Sequence, residues 1–153
     1  MGIRRYQAGD EIELWNLFFN TVHIVNLQDY TLEQVQAWAP DEMDRERWRA
    51  RIEGMCPFLC VHDGIIVGYA GLLASGQIDH FYVHHQWQRQ GVGKQLLSAI
   101  ESEAKAQGLS QLTSDVSITA RPFFEAQGFV VTAPQEVTRG AVALRNFKMM
   151  KRL

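Results

Sequence analysis

The sequence lacks long apolar runs and an excess of either charge. No apolar stretch approaches the roughly 20 residues of a membrane span, and the segment from Met1 to Arg5 lacks the apolar core of a signal peptide. The formal net charge is −2 and the pI is about 6.2, so the overall charge does not indicate binding to nucleic acid or to an anionic membrane. We therefore expect a cytoplasmic protein that has neither as a partner.

Cysteine is also scarce, with only Cys56 and Cys60. A zinc site would need a second cysteine pair or suitably spaced histidines, and this pair has neither beside it. We predict no metal site and two ordinary buried thiols. No repeat, low-complexity tract or linker interrupts the chain. Because 153 residues with 46% hydrophobic content can form a full core, we expect one domain over residues 1–153.

The most informative stretch has the order strand, glycine-containing turn, helix. The segment Gln77–Val83 is rich in β-branched and aromatic residues, which is typical of a strand. Gly91 and Gly93 follow in a turn, and Gly108 stands where the next helix would end. The apolar face of that helix recurs every four residues, at Val92, Leu96, Ile100 and Ala104.

The N-terminal part predicts a short strand over Ile3–Gln7 and then three helices. Asp10 is the expected N-cap of the first helix, which carries a broad apolar stripe that includes Ile12. Thr31–Gln34 has the capping-box pattern, so a short helix should begin there and end before Pro40. The third helix runs from Asp44 to Glu53, with Gly54 as its stop. We expect the two short helices to form a lid.

The remaining predicted elements are mostly strands. Asp63-Gly64 is a strong signal for a two-residue hairpin between Phe58–His62 and Ile65–Leu73. The strand Gln77–Val83 should extend this antiparallel set, and a helical crossover makes its pairing with Leu112–Val116 parallel. Phe129–Thr132 and Ala141–Met150 form the last pair. The predicted fold class is α+β, a mixed and mostly antiparallel sheet with helices on both faces.

Two runs of the sequence, Gln88–Gly93 and Ala120–Phe129, resemble motifs of the GNAT superfamily of acyl-CoA-dependent N-acetyltransferases. The run Gln88-Arg-Gln-Gly91-Val-Gly93 is similar to that family's pyrophosphate loop, Gln/Arg-x-x-Gly-x-Gly/Ala. About 30 residues later, the run from Ala120 to Phe129 resembles its second signature. The runs Tyr30–Pro40 and Thr119–Phe129 look like the bacterial YafP-like branch. The spacing fits neither a P-loop nor a dinucleotide fingerprint.

The resemblance implies a fold in which the strand that ends at Val83 splays from its neighbour to admit acetyl-CoA. The backbone of Phe81–Val83 would pair with the pantetheine arm, and the N–H groups of Arg89–Lys94 would hold the pyrophosphate. The Val83 N–H would polarise the thioester carbonyl and stabilise the oxyanion. The cofactor residues implied are Phe81, Tyr82, Val83, Gln88, Arg89, Gln90, Gly91, Val92, Gly93, Lys94, Ser117, Ala120, Phe123 and Phe124.

The sequence departs from the family pattern at two positions. The family often has Asn where this chain has Ser117, and Tyr where it has Phe124. The Tyr hydroxyl usually protonates the leaving thiolate, and Phe124 has no proton to give. A CoA thiolate is a tolerable leaving group, because a comparable thiol has a pKa near 8.5. Water, Ser117 or Tyr82 could supply the proton instead.

Asp79 is the predicted general base, acting through water. With a two-residue period it shares a strand face with Val83, four residues away, and family members often carry a carboxylate there. The alternative is a structural carboxylate that holds the lid helices. His80 and Tyr82 are alternative bases on the opposite face. His84 and His85 are expected to be exposed.

These features predict an N-acetyltransferase that transfers an acetyl group from acetyl-CoA to a primary amine by direct attack. The acceptor would be a small molecule or a peptide. His23, Tyr30 and Trp38 are the candidate acceptor-binding residues, with a structural role as the alternative for His23. A catalytically weak or inactive acyl-CoA-binding module is the alternative function. A homodimer is possible, since the last two strands often build dimers in the family.

Overall fold

The computed structural model describes all 153 residues, Met1–Leu153. Seven strands form one sheet: β1 (Gly2–Arg5), β2 (Phe58–His62), β3 (Ile65–Leu72), β4 (Gln77–Val83), β5 (Gln111–Ser117), β6 (Val130–Arg139) and β7 (Val142–Arg152). The α-helices are α1 (Glu11–Asn20), α2 (Leu32–Trp38), α3 (Arg45–Met55), α4 (Val92–Ala106) and α5 (Arg121–Ala126). None of the helices is long and apolar enough to cross a membrane.

The strands lie in the order β1-β2-β3-β4-β5-β7-β6. Every neighbouring pair is antiparallel except β4 and β5, which the crossover through α4 makes parallel. The predicted mixed, mostly antiparallel sheet is therefore confirmed.

Each face of the sheet carries its own apolar core. On one face, which we call the α4 face, α4 and α5 contribute Leu96, Ile100 and Phe124. On the other, the lid face, α1, α2 and α3 contribute side chains such as Leu14, Val35 and Ile52. The amphipathic pattern of α4 produces this arrangement, because its four-residue apolar repeat is fully buried. Helices on both faces were predicted and are confirmed.

Strands β4 and β5 part soon after they begin. They pair only at Gln77 with Thr113 and at Ile78 with Ser114. Strand β5 stays paired with β7 along its whole length, as far as Ser117. The segment Phe81–Val83 consequently has a strand neighbour on the β3 side but none on the β5 side. This is the splay that the family resemblance implied.

Local signals predicted several turns and caps correctly. Asp63 and Gly64 have φ values of 49° and 77°, as a type I′ hairpin turn requires. The Thr31 side chain accepts from the Gln34 N–H, and the Gln34 side chain accepts from the Thr31 N–H, which completes the capping box. Gly108 follows α4 with a positive φ of 77°, as predicted.

Other boundaries were wrong. The Asp10 carboxylate does not cap α1 but binds Arg4 and the Gln7 N–H instead. Helix α3 continues through Gly54 to Met55, and Cys56 makes the left-handed turn with a φ of 44°. Cys56 is therefore exposed, and only Cys60 is the buried thiol that was expected. Ile12 is 45% exposed and lies outside the buried stripe of α1, which is formed by Leu14, Leu17 and Phe18.

The last two strands are longer than predicted. Strand β6 extends past Thr132 to Arg139, and β7 runs from Val142 to Arg152. Strand β6 passes through Pro134, which is tolerated because β6 is the edge strand, where a missing N–H removes no necessary ladder bond. Helix α1 ends at Asn20, and the chain continues as a π-turn over Thr21–Val25.

We predict that Gly76→Ala destabilises the protein by about 2–4 kcal/mol. Gly76 has a φ of 92°, and an added Cβ would lie 2.8 Å from the carbonyl oxygen of Gln111. The matched control is Gly108→Ala, because Gly108 has a similar φ of 77° with open space around it. The control should lose only about 1 kcal/mol in denaturant unfolding. If both variants lose the same unfolding free energy, the close contact between position 76 and the Gln111 carbonyl is not the cause.

Candidate active site

The loop between β4 and α4 has the backbone of an anion site. Gly91 adopts a φ of 87° with nothing within 4 Å of an added Cβ, and Arg89 has a φ of 60°. The first helical N–H to bond back is that of Gln95, to the Gly91 carbonyl. The earlier N–H groups of α4 therefore have no intrahelical partner, and the helix dipole places partial positive charge there. Arg89, Gln90 and Lys94 are exposed beside them.

Gly93 brings the two sequence motifs into contact. A Cβ at this position would lie 2.9 Å from the Phe123 ring, so only glycine leaves room for that ring. Phe123 and Phe124 also pack against Phe81 of β4, with ring centroids 5.6 and 5.2 Å apart. Ala120 lies half-buried at the start of the same helix, α5. The aromatic residues of the second motif thus line the unpaired part of β4.

The start of α4 also packs directly on the sheet. The Val92 side chain is buried over Gly68 of β3, where a Cβ would lie 2.7 Å from Val92 Cγ1. Gly68 is the register partner of Val83. The loop and the end of β4 are therefore connected through a close helix–strand contact.

The Val83 N–H points into the gap between β4 and β5. The His84 N–H donates to the Val67 carbonyl of β3, and N–H groups along a strand point alternately to its two sides. Those of Phe81 and Val83 therefore point away from β3, toward the side where β5 has parted. The Gln88 side chain turns back to this strand, and its Nε2 donates to the Val83 carbonyl at 2.7 Å.

The two-residue period of a strand predicted that Asp79 and Val83 share a face. In the structure their side chains lie on opposite faces of the sheet. A β-bulge places two residues of β4, Asp79 and His80, opposite Gly71 of β3, which breaks the alternation. Val83 packs with the α4-face core, whereas the Asp79 carboxylate lies 3.3 Å from Arg51 of α3. This ion pair matches the alternative of a carboxylate that holds a lid helix. Its role as a base stays a prediction.

Tyr82 projects to the lid face, and its hydroxyl oxygen accepts from Trp38 Nε1 at 3.1 Å. Burial raises the pKa of Tyr82 well above its usual value. Because the indole N–H can only donate, the hydroxyl proton of Tyr82 stays free for another acceptor. The Tyr82 hydroxyl therefore keeps its proton at physiological pH.

His80 is also buried on the lid face, where it packs among aromatic rings and bonds the Tyr69 hydroxyl at 2.9 Å. Burial lowers the pKa of His80 to about 4, with Asp79 opposing the shift and Arg51 adding to it. His84 and His85, expected to be exposed, are half-buried and stack on each other at 4.5 Å. Burial and His85 lower the pKa of His84.

A small cavity of about 50 Å³ opens on the lid face near the end of β5. Tyr30 and Trp38 line it, and their role in acceptor binding stays a prediction; the Tyr30 hydroxyl is already bonded to backbone groups of Ile118 and Arg145. The His23 ring lies elsewhere, bonded to the Ala39 carbonyl at 2.7 Å. The other residues that line the cavity are Asp115, Ser117, Val137, Arg139, Leu144 and Asn146.

The two departures from the family pattern have distinct surroundings. Phe124 is only 2% exposed and lies edge-on to Phe129 in the α4-face core. The Ser117 hydroxyl accepts from the Ala120 N–H at 3.0 Å and faces the cavity. Ser117 therefore has a hydroxyl proton to donate, and Phe124 does not.

Sequence reasoning missed the polar groups that converge on the strand ends. Thr21 and Asn26 are each 5% exposed and bond Val83 and Ser117 respectively. The sequence pattern that could have revealed them is a pair of polar residues at the end of the apolar stripe of a helix. No local sequence pattern indicates that Asp115 and Arg139 line the cavity, because pairing between strands that are distant in the sequence brings them together.

The acetyltransferase (GNAT) domain family matches residues 26–153. This match covers most of the chain. The chain belongs to the GNAT acetyltransferases.

Individual GNAT proteins agree with this assignment. The uncharacterised N-acetyltransferase YafP of Escherichia coli (strain K12) is 34% identical over 148 residues, which cover 96% of this chain and 93% of YafP. The crystal structure of a GCN5-related N-acetyltransferase from Rhodopseudomonas palustris has a TM-score of 0.95 at 32% identity, covering 99% of this chain and 95% of that one.

A more distant structure shares the fold. The PaiA N-acetyltransferase of Thermoplasma acidophilum, solved in complex with coenzyme A, has a TM-score of 0.76 at 16% identity. The match covers 99% of this chain and 98% of PaiA.

We predict that His80 makes the protein sensitive to acid. In the unfolded chain His80 has a pKa near 6.5, above the value of about 4 in the folded protein, so the unfolded state binds the proton more tightly. The stability that neutral His80 provides is complete above about pH 6.5 and falls as the pH drops toward 4, by roughly 3 kcal/mol in all.

The comparison is between the parent and His80→Gln, whose amide keeps a hydrogen-bond partner for Tyr69 but does not titrate. Denaturant unfolding at several pH values should show a shallower loss for the variant between about pH 6.5 and 4. Parallel curves for the two proteins would show that His80 is not the titrating group.

Proposed function

We propose that this GNAT protein transfers the acetyl group of acetyl-CoA directly to a primary amine of a small molecule or peptide, acting as one domain over residues 1–153. The observation that carries this proposal is the unpaired edge of β4, which ends beside the N-terminus of α4. An acyl chain that carries amides can pair with such an edge, and its phosphates can bind the free N–H groups of the helix.

The residues present fit acetyl-CoA on physical grounds. Gly91 leaves open space over the loop, and Arg89 and Lys94 are exposed to add positive charge near phosphates. The N–H groups of Phe81 and Val83 face the gap. Acetyl-CoA supplies an acyl thioester, which is activated toward attack by an amine. The Phe123 and Phe124 rings, packed against Phe81, exclude water from one wall of the gap.

The Val83 N–H serves as the donor to the thioester carbonyl oxygen. A donor that is fixed before the reaction stabilises the charge that develops on that oxygen, and one such group is commonly worth several kcal/mol. Val83 has the position for this role, because its N–H points to the unpaired side of β4.

Two protons must move in this reaction, and both candidate groups lie on the lid face. We assign Asp79 as the base, acting through water, since its carboxylate is 26% exposed despite the pair with Arg51. We assign Tyr82 as the group that protonates the leaving thiolate, because its own proton is not engaged by Trp38. Ser117 and water are the substitutes.

The cavity favours one kind of acceptor. Four of its eight lining residues are apolar or aromatic, and its charged members, Asp115 and Arg139, have opposite signs. A strongly acidic pocket would have favoured polyamines, whereas this one favours small amines with an apolar or aromatic body. The larger surface depression beside it, of about 520 Å³ and lined by Ile118 and Phe147 among others, gives a peptide acceptor room to continue.

A second candidate function is acyl-CoA binding without turnover. The buried Phe124 favours it, because the usual proton donor at this position is missing. Release of CoA thiol in the presence of any physiological amine would exclude this candidate.

We predict that acetyl-CoA raises the melting temperature saturably, by about 5 °C or more at a hundredfold excess over Kd. Gly91→Glu should abolish the rise, because a carboxylate would occupy the open space over the anion site. Gly108→Glu is the matched control, since it adds the same charge at a similar φ beyond the other end of α4. If acetyl-CoA does not raise the melting temperature of the parent, the proposal is wrong. If both variants lose the rise equally, acetyl-CoA does not bind at the Gly91 loop.

Tyr82→Phe should lower kcat for thiol release by about 10-fold to 100-fold and change KM for acetyl-CoA little. Because the pKa of Tyr82 is raised, the parent should keep its activity as the pH rises toward about 10. Ser117→Ala is the comparison, measured with the first amine that supports turnover. A larger loss from Ser117→Ala would transfer the role to Ser117.

A further inference from the structure

The small cavity on the lid face contains two charged side chains that form no ion pair. Asp115 of β5 and Arg139 of β6 both line it, and neither has an opposite charge within 4.0 Å. The only hydrogen bond of the Arg139 side chain runs from Nη1 to the Thr138 carbonyl, at 3.2 Å. Because a guanidinium has five N–H donors, most of them remain available to a ligand.

Lys148 offsets the charge of Asp115. The two residues stand directly opposite each other where β5 pairs with β7, so their side chains lie on the same face of the sheet. Opposite charges at such neighbouring positions attract each other. Arg139 lies on the edge strand opposite Val142 and has no acidic neighbour of this kind. The charge left without a counter-ion at the cavity is therefore positive.

The positive charge of Arg139 extends toward the proposed proton donor. Burial is the largest influence on the pKa of Tyr82, which it raises, and on the pKa of His80, which it lowers. The charge of Arg139 acts to lower the pKa of both groups. Trp38 connects the same two places, since it lines the cavity and donates to the Tyr82 hydroxyl at 3.1 Å. Arg139 thus lies within electrostatic range of Tyr82.

The cavity has the size of one small polar group. Its volume of about 50 Å³ is room for one or two water-sized groups, so it holds one end of an acceptor. Ser117 lines the cavity and ends β5 beside the gap. Strand β6 lies two strand spacings from β5, about 10 Å, and the long Arg139 side chain covers part of that distance. An anionic group at Arg139 and an amine at the gap therefore fit within one small molecule.

We propose that the acceptor is an amine that carries a carboxylate, such as an apolar α-amino acid, and that Arg139 binds the carboxylate. The inference rests on the proposed function and narrows its acceptor. A planar guanidinium matches a carboxylate with two parallel N–H donors, and such charged hydrogen bonds are stronger than those to a neutral amide. Val137 and Leu144 line the cavity beside Arg139 and suit an apolar body.

The carboxylate takes no part in the transfer itself. The amine nitrogen gives up a proton and bonds to the acetyl carbon, while the bond between that carbon and the CoA sulfur breaks. The sulfur leaves as a thiolate and takes up a proton, so the products are an N-acetyl amino acid and CoA. Arg139 therefore orients the acceptor through a group that does not react.

The test compares amines that differ in the charged group. L-Phenylalanine and L-phenylalaninamide form one pair, and L-leucine and L-leucinamide form another. Thiol release from acetyl-CoA gives kcat/KM for each amine. The ratio of acid to amide is taken within each protein and compared between proteins, because the amine pKa differs between the two compounds.

The variants are Arg139→Gln and Arg139→Lys, with Arg152→Gln as the matched control. Arg152 is an exposed arginine of β7 that lines neither the cavity nor the larger depression, so its replacement removes the same charge from the same hairpin. Calorimetry measures Kd for L-phenylalanine on the CoA-loaded protein and Kd for acetyl-CoA on the free protein. Melting temperature monitors folding.

We expect Arg139→Gln to lower the ratio of acid to amide by about tenfold or more, because a charged hydrogen-bond pair is lost. Arg139→Lys should keep part of the preference, since an ammonium keeps the charge without the planar fork. Arg152→Gln should leave the ratio unchanged. Arg139→Gln should also weaken binding of L-phenylalanine, with Kd for acetyl-CoA within about twofold of the parent.

Four outcomes would overturn the carboxylate site. They are an unchanged ratio in Arg139→Gln, an equal fall in Arg152→Gln, a loss of acetyl-CoA affinity in Arg139→Gln, and thiol release with the amides or with putrescine but with neither amino acid. The last outcome would leave the acetyltransferase proposal in place.

Two further outcomes separate this inference from the proposed function. A parent protein that does not bind acetyl-CoA would overturn both. If the parent releases no thiol but binds L-phenylalanine, and Arg139→Gln weakens that binding, the carboxylate site is supported and the transfer reaction is wrong.

Discussion

Backbone hydrogen bonding that stops between two adjacent strands determines where chemistry can take place in this protein. Strand β4 loses β5 after Ile78, while β5 keeps its pairing with β7. Unpaired backbone groups inside a protein are costly, so the gap persists only because its surroundings are built for it. Phe81 packs on the aromatic rings of α5, and side chains from outside the sheet bond the Val83 carbonyl.

The sheet also separates the two halves of the proposed reaction. The anion site and the aromatic wall belong to the α4 face, and the cavity with Tyr30 and Trp38 belongs to the lid face. Val83 lies at the opening between them. Donor and acceptor would therefore approach from opposite sides of the sheet, and the groups proposed to move protons, Asp79 and Tyr82, lie on the acceptor's side.

Several features that depend on neighbouring residues were predictable from the sequence, whereas local distortions that arise from distant pairing were not. The Asp63-Gly64 turn, the Thr31 capping box and the Gly91 loop each depend on a few adjacent residues. The face of Asp79 depends on a bulge that forms only when β4 pairs with Gly71. The π-turn at Thr21 is equally hidden, because its hydrogen-bond spacing leaves no short-range pattern.

Gly68 has a consequence for the thermodynamics of binding. Because β3 carries no side chain there, the first turn of α4 rests on the strand backbone opposite Val83. The loop proposed to bind phosphate and the proposed carbonyl donor are thus packed against the same strand before any ligand arrives. A ligand held at both points would still lose its own freedom but would order little of the protein, which lowers the entropic cost of binding.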